Sequence, residues 1–170
     1  MKNINKRKSR IMSLQIIYAW YFSKIDYREI MSYMVQGNFD EELNTIIEDE
    51  DLRSEALSIT SDEINSNLED VSDYSLRLVE STITHTHKID DYILKKLKNW
   101  DLDRISVIDK IILRLALNEM LYFDDIPPKV SIVEGVEIAK VFGTEESSAF
   151  INGVLDSIYN DLIKDKIEIQ

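Results

Sequence analysis

The sequence predicts an all-α fold of about seven helices in two small antiparallel bundles, and three observations carry that expectation. Apolar residues recur at three- and four-residue spacing along most of the chain, the period of a helix with one buried face. Only 4 glycines and 2 prolines punctuate 170 residues that are 44% apolar and 31% charged, a composition that suits a globular, mainly helical chain. Gly143 and Thr144 stand between two such periodic runs and read as a helix stop followed by a helix cap. A chain of this length suits one domain built from two subdomains, here 1–84 and 85–170.

The first helix is expected from about Ser9 to Ser23. Ile11, Met12, Leu14, Ile16, Ile17, Tyr18, Trp20, Tyr21 and Phe22 make it apolar around most of its circumference, the mark of a helix contacted from several sides. Tyr27 to Val35 carries a second stripe, in Ile30, Met31, Met34 and Val35, and Leu43, Ile46 and Ile47 a shorter third. Val71 to Asn99 follows with Leu76, Leu78, Val79 and Ile83, then an expected break near His85, then Ile89, Ile93, Leu94 and Leu97.

Asp101 to Phe123 is the strongest amphipathic run. Ile105, Ile108, Ile112, Leu115 and Ala116 form its inner stripe, and Asp109, Lys110, Arg114, Asn118 and Glu119 are expected to face outward. Pro127 and Pro128 end it, because a proline disfavours α geometry at the residue before it. Lys129 to Phe142 then forms a helix closed by Gly143, where a positive φ is expected. With Thr144 as cap, Glu145 and Glu146 fall in the first turn of the last helix, at the positive end of its dipole. Phe150, Ile151, Val154, Leu155, Ile158 and Leu162 make that helix's core stripe. Gly153 within it costs about 1 kcal/mol relative to alanine, which marks a place where something approaches the backbone.

The formal charge of −12 is unevenly spread. Between Gln36 and Asp73 stand thirteen acidic side chains and one basic, Arg53, so this segment accounts for the whole excess. Residues 1 to 25 hold Lys2, Lys6, Arg7, Lys8, Arg10 and Lys24 and no acid. Cations at a helix start oppose the macrodipole, so helix stability does not explain them, whereas a bound polyanion would. A solubilising tail is the plainer explanation for such a lysine-rich start. The acidic segment is expected to be a solvated surface that competes with such a polyanion for the basic arm.

Few catalytic devices are legible. The absence of cysteine removes disulfides, thiolate nucleophiles and Cys-based zinc sites together. His85 and His87, at i, i+2 on a helix, point about 200° apart and cannot share a metal, so they read as surface or capping residues. The acidic segment lacks the spacing and glycine of a calcium loop, and neither HExxH nor a glycine-rich phosphate loop is present. No enzyme activity, metal or cofactor is therefore expected. No run approaches the roughly 18 apolar residues of a membrane span, and the N-terminus carries no signal-peptide core, so a cytoplasmic protein is expected.

Phe150-Ile-Asn-Gly-Val-Leu-Asp156, with Asp125-Ile-Pro-Pro-Lys-Val130 and Glu137-Ile-Ala-Lys-Val-Phe-Gly143, resembles the C-terminal signature of the NusB family of bacterial transcription antitermination factors. Lys6-Arg7-Lys8-Ser9-Arg10, leading into Gln15-Ile-Ile-Tyr18-Ala-Trp20, resembles that family's arginine-rich start. Lysines at 6 and 8 bind phosphate as point charges where a guanidinium would fork across it. The acidic middle looks like an expansion of the family pattern.

The resemblance implies an all-helical RNA-binding protein that pairs with NusE, a ribosomal protein, on boxA RNA of ribosomal RNA leaders. It also implies a place in the RNA polymerase antitermination complex and homodimer formation when free. In the family, positions matching Phe150, Asn152 and Gly153 lie by the RNA path, and Arg114, Glu119 and Tyr122 match the face used by NusE. Reading splayed bases takes exposed rings and amides, which Tyr18, Phe150 and Asn152 offer here. The expected RNA site is thus Lys6, Arg7, Lys8, Arg10, Tyr18, Phe150, Asn152 and Gly153, touched by one RNA. Arg7→Ala and Arg10→Ala are both expected to weaken RNA binding without lowering the melting temperature. The alternative is a noncatalytic protein-interaction adaptor of the same fold. An RNA methyltransferase using this fold for recognition would need a cofactor-binding domain beyond these residues.

Overall fold

The computed structural model describes residues 6–23, 25–36, 68–97 and 102–168. Its helices are α1 (Lys6–Ser23), α2 (Tyr27–Gln36), α3 (Leu68–Lys96), α4 (Val107–Tyr122), α5 (Pro128–Phe142) and α6 (Ser147–Glu168), with a 3₁₀ turn at Leu102–Arg104. The fold is all-α. The stripe at Leu43, Ile46 and Ile47, and most of the acidic segment, lie outside the described residues. The chain divides into two compact units, Met1–Glu80 and Ser81–Gln170, and α3 contributes residues to each.

In the first unit α1 packs on α2. Ile11 to Ile17 and Ala19 are buried, as an apolar circumference requires, and Ile16 is fully covered. Between α1 and α3 the fit is made by hydroxyls. Ser9, Ser13 and Ser75 are fully buried. Ser75 Oγ donates to the carbonyls of Ser9 at 2.9 Å and Val71 at 2.7 Å, and Ser13 Oγ to that of Ser9 at 2.8 Å. Small side chains let the two backbones approach, and the Ser13 and Ser75 hydroxyls are satisfied on main-chain oxygens, while Ser9 Oγ has no hydrogen-bond partner among the described residues. On α2, Arg28 Nη2 donates to Glu80 Oε1 at 2.7 Å beside Tyr27 Oη at 3.3 Å.

The expected break at His85 is absent: α3 runs unbroken for 29 residues. The run Ser81-Thr-Ile-Thr-His-Thr-His87 has low helix propensity, which suggests a break, but its polar side chains bond back into the same helix. Thr86 Oγ1 donates to the Thr82 carbonyl at 2.8 Å, and His85 Nδ1 lies 2.8 Å from the Ser81 carbonyl oxygen. Such bonds to the preceding turn occupy the hydroxyls without opening the helical ladder.

In the second unit α4, α5 and α6 pack against one another. Ser106 caps α4, its Oγ accepting from the Asp109 amide at 3.0 Å, so the helix starts later than the apolar pattern implies. Pro128 opens α5 at its first position, where the missing N–H costs nothing. The expected outward face of α4 is not outward. Asp109, Lys110, Asn118 and Glu119 are all buried and Arg114 is half-buried. The consecutive Ile111, Ile112 and Leu113, at 1%, 2% and 0% exposure, step by about 100° each, so α4 is covered on most sides.

Gly143 also departs from expectation. Its φ is −93°, not positive, and the need for glycine is steric. A Cβ there would sit 2.5 Å from Ser147 Cβ and 2.7 Å from the Ala139 carbonyl oxygen. The last helix begins at Ser147 rather than directly after Thr144. Ser147 Oγ accepts from the Thr144 amide at 2.9 Å and lies 3.1 Å from Thr144 Oγ1, leaving Glu145 and Glu146 exposed in the turn that precedes the helix.

Candidate nucleic-acid interface

Lys6, Arg7, Lys8 and Arg10 fall in the first turns of α1. Helical spacing sorts them. Arg7 is exposed, Lys6 and Lys8 are half-buried, and Arg10 is 6% exposed. Lys6 Nζ lies 5.4 Å from the centroid of the buried Tyr74 ring, within cation–π range. Arg10, four residues on, shares that face. Tyr18 is half-buried, its ring 4.8 Å from that of Phe22, which meets Tyr21 edge-on at 5.2 Å. Trp20, Tyr21 and Phe22 are 36%, 50% and 50% exposed, so the apolar circumference of α1 is buried only as far as Ala19. Hydrophobicity could not separate these rings from the core, because each continues the same pattern.

In the second unit, Phe150 is half-buried near the start of α6. With Lys96, Leu97, Ala149, Gly153, Val154 and Ser157 it lines a cleft of about 480 Å³. Gly153 is exposed, and a Cβ built on it would meet nothing within 4 Å. Among the described residues, none therefore approaches that face of the backbone. Asn152 is exposed but does not line the cleft, and its Nδ2 donates to Asp156 Oδ2 at 3.1 Å. Lys96, the last residue of α3, donates to Asp161 Oδ2, and this hydrogen bond holds the Asp161 carboxyl below its ordinary range. No sequence signal pointed to Lys96, because only the fold brings the end of α3 to the start of α6.

The residues matched to a NusE face are engaged within the unit. Arg114 donates twice to Asp90, at 2.8 Å from Nε and from Nη2. Glu119, 1% exposed, accepts from Ser131 Oγ at 2.5 Å. The Tyr122 ring stacks on His85 at 3.8 Å with Lys88 Nζ 5.7 Å from its centroid. These positions span an arc of about 140° on α4. Ser81 Oγ bridges the neighbourhood, donating to Asn118 Oδ1 at 2.9 Å and lying 3.3 Å from His85 Nδ1. Among the described residues no group of three potential metal ligands is present, and no helix is long and apolar enough to cross a membrane.

Residues 7–160 match the profile of the NusB family. The chain belongs to the NusB family. It is 34% identical over 159 residues to a transcription antitermination protein NusB of Chloroherpeton thalassium, covering 94% of this chain and 63% of that protein. Its identity to the NusB of Clostridium tetani is 34% over 157 residues, covering 91% and 97%. The fold is similar to that of T. maritima NusB, with a TM-score of 0.65, 30% identity and coverage of 93% and 92%. It is also similar to a chain from a complex of antitermination factors NusB and NusE with dsRNA, with a TM-score of 0.63, 22% identity and coverage of 91% and 96%.

Within this NusB-family fold, burial splits the two arginines that sequence treats alike. Arg7→Ala is expected to weaken RNA binding several-fold and leave the melting temperature in place, since substitutions at exposed positions usually stay within about 0.5 kcal/mol. Arg10→Ala is expected to lower stability by about 2 kcal/mol, the scale of hydrogen bonds to a charged group. Thermal melts beside RNA titrations check both. Equal melting points would return Arg10 to the exposed set.

Proposed function

We propose that this chain is a noncatalytic transcription antitermination factor that binds boxA-type single-stranded RNA of ribosomal RNA leaders together with the ribosomal protein NusE. It acts in the cytoplasm as part of the RNA polymerase antitermination complex and pairs with a second copy when free. RNA-binding roles go to Lys6, Arg7, Lys8 and Tyr18 on α1 and to Phe150, Asn152 and Gly153 on α6, with Arg10 bracing the first set. Arg114 and Tyr122 meet NusE, and buried Glu119 holds their face in shape. The carrying observation is Gly153. A glycine in mid-helix, with open space among the described residues where its side chain would be, is not required there by their packing and borders the cleft that holds Phe150.

The test is binding of a boxA oligonucleotide against a scrambled one, with and without NusE, over a salt series. The boxA RNA is expected to bind more tightly, and more so with NusE. Three accessible cations on α1 give a slope of log K against log salt of about −2, at about 0.7 counterion per single-strand contact. A slope near zero would remove α1 from the site. Equal binding of both RNAs with NusE retained would favour the adaptor reading.

A further inference from the structure

Among the described residues that line the α6 cleft, Lys96 is the one cation. It lines the same cleft as Phe150, which puts a positive charge beside the ring. Its side chain is 20% exposed and is held by Asp161, itself 53% exposed. Asp161 also feels the positive charge of Lys164, one turn further along α6, so a second cation is at hand should Lys96 be taken. With Asp161 at the surface, this ion pair competes with water and contributes little. A phosphodiester carries the same single charge as the carboxylate and can displace it.

We propose that Lys96 is a phosphate-binding residue of the α6 cleft and that Asp161 is its built-in competitor, a carboxylate that occupies the lysine until an RNA phosphate replaces it. This rests on the reading of the cleft as an RNA site. RNA binding then exchanges one ion pair for another: the phosphate takes Lys96 and Asp161 turns to Lys164. The cleft is thereby biased against isolated anions. Only a ligand that also places a ring beside Phe150 gains enough to open the pair.

The experiment measures binding of a boxA oligonucleotide at low salt to the full chain and to Asp161→Asn, Lys96→Gln, the double variant and Phe150→Ala, with a thermal melt of each. Asp161→Asn is expected to tighten binding two- to fivefold, the range set by an exposed ion pair. Lys96→Gln is expected to weaken binding and make the salt slope shallower by about 0.7. In the double variant the gain from Asp161→Asn should vanish, because the two residues act on one contact. A gain that persists without Lys96 would make Asp161 a general repulsive charge and overturn the proposal, as would no gain at all. If Phe150→Ala weakens binding while the Lys96 and Asp161 variants bind as wild type, only this inference fails. If Phe150→Ala also binds as wild type, the cleft is not an RNA site.

Discussion

Phe150→Ala is expected to weaken boxA binding by tenfold to a hundredfold while leaving the protein folded. Stacking of one base on an aromatic side chain is worth about 1–3 kcal/mol by alanine substitution, and among the described residues Phe150 is the only aromatic one lining the cleft. The helix should survive the loss, because its anchors are other residues. Ile151, Leu155 and Ile158 are at 0–1% exposure, whereas Phe150 is half-buried. An RNA titration beside a thermal melt separates the two roles. Should the melt fall by as much as a core truncation causes, about 3–5 kcal/mol for phenylalanine, the ring belongs to the core and the binding loss loses its meaning.

Two glycines one helix apart should respond to alanine with opposite signs. Gly143→Ala is expected to destabilise the protein by about 2–3 kcal/mol, because the new methyl would meet the Ala139 carbonyl and Ser147 at 2.5–2.7 Å and overpacking costs that much. For a chain of this size the midpoint then drops by roughly 4–12 °C. Gly153→Ala has empty space around it and is expected to stabilise α6 by up to about 1 kcal/mol, the helix-propensity difference, while weakening RNA binding. Melting curves and RNA titrations of the two variants check this. A Gly153→Ala protein that is more stable and binds RNA unchanged would take Gly153 out of the interface.

Much of the architecture was legible because it follows from periodicity and backbone chemistry. The apolar repeats placed the helices, and Pro127 with Pro128 and Gly143 bounded α5 within one residue. What escaped was the surroundings of each helix. The α4 stripe looked one-sided because Asp109, Lys110, Asn118 and Glu119 are polar, yet a polar residue can be buried when a partner reaches it. Ser131 supplies that partner for Glu119, and Ser81 for Asn118. The same ambiguity hid Arg10 and misjudged Trp20, Tyr21 and Phe22, since composition along one helix does not say where its neighbours stop. At His85 local propensity favoured a break, and side-chain bonds to the preceding turn opposed it. For the candidate site, the sequence held Phe150 and Gly153 but not Lys96, whose approach to α6 depends on tertiary contact alone.

Gly135 sets the spacing of the second unit's helices. A Cβ on it would lie 3.3 Å from Ala116 Cβ, 3.5 Å from Leu155 Cδ1 and 3.7 Å from Ile112 Cγ2, so α5 touches α4 and α6 almost backbone to side chain. On the α4 side the nearest atom is the short methyl of Ala116, on the α6 side the δ-carbon of Leu155, and interiors packed this closely compress little. A side chain at position 135 would therefore act as a wedge, forcing α5 away from Ala116 on one side and Leu155 on the other.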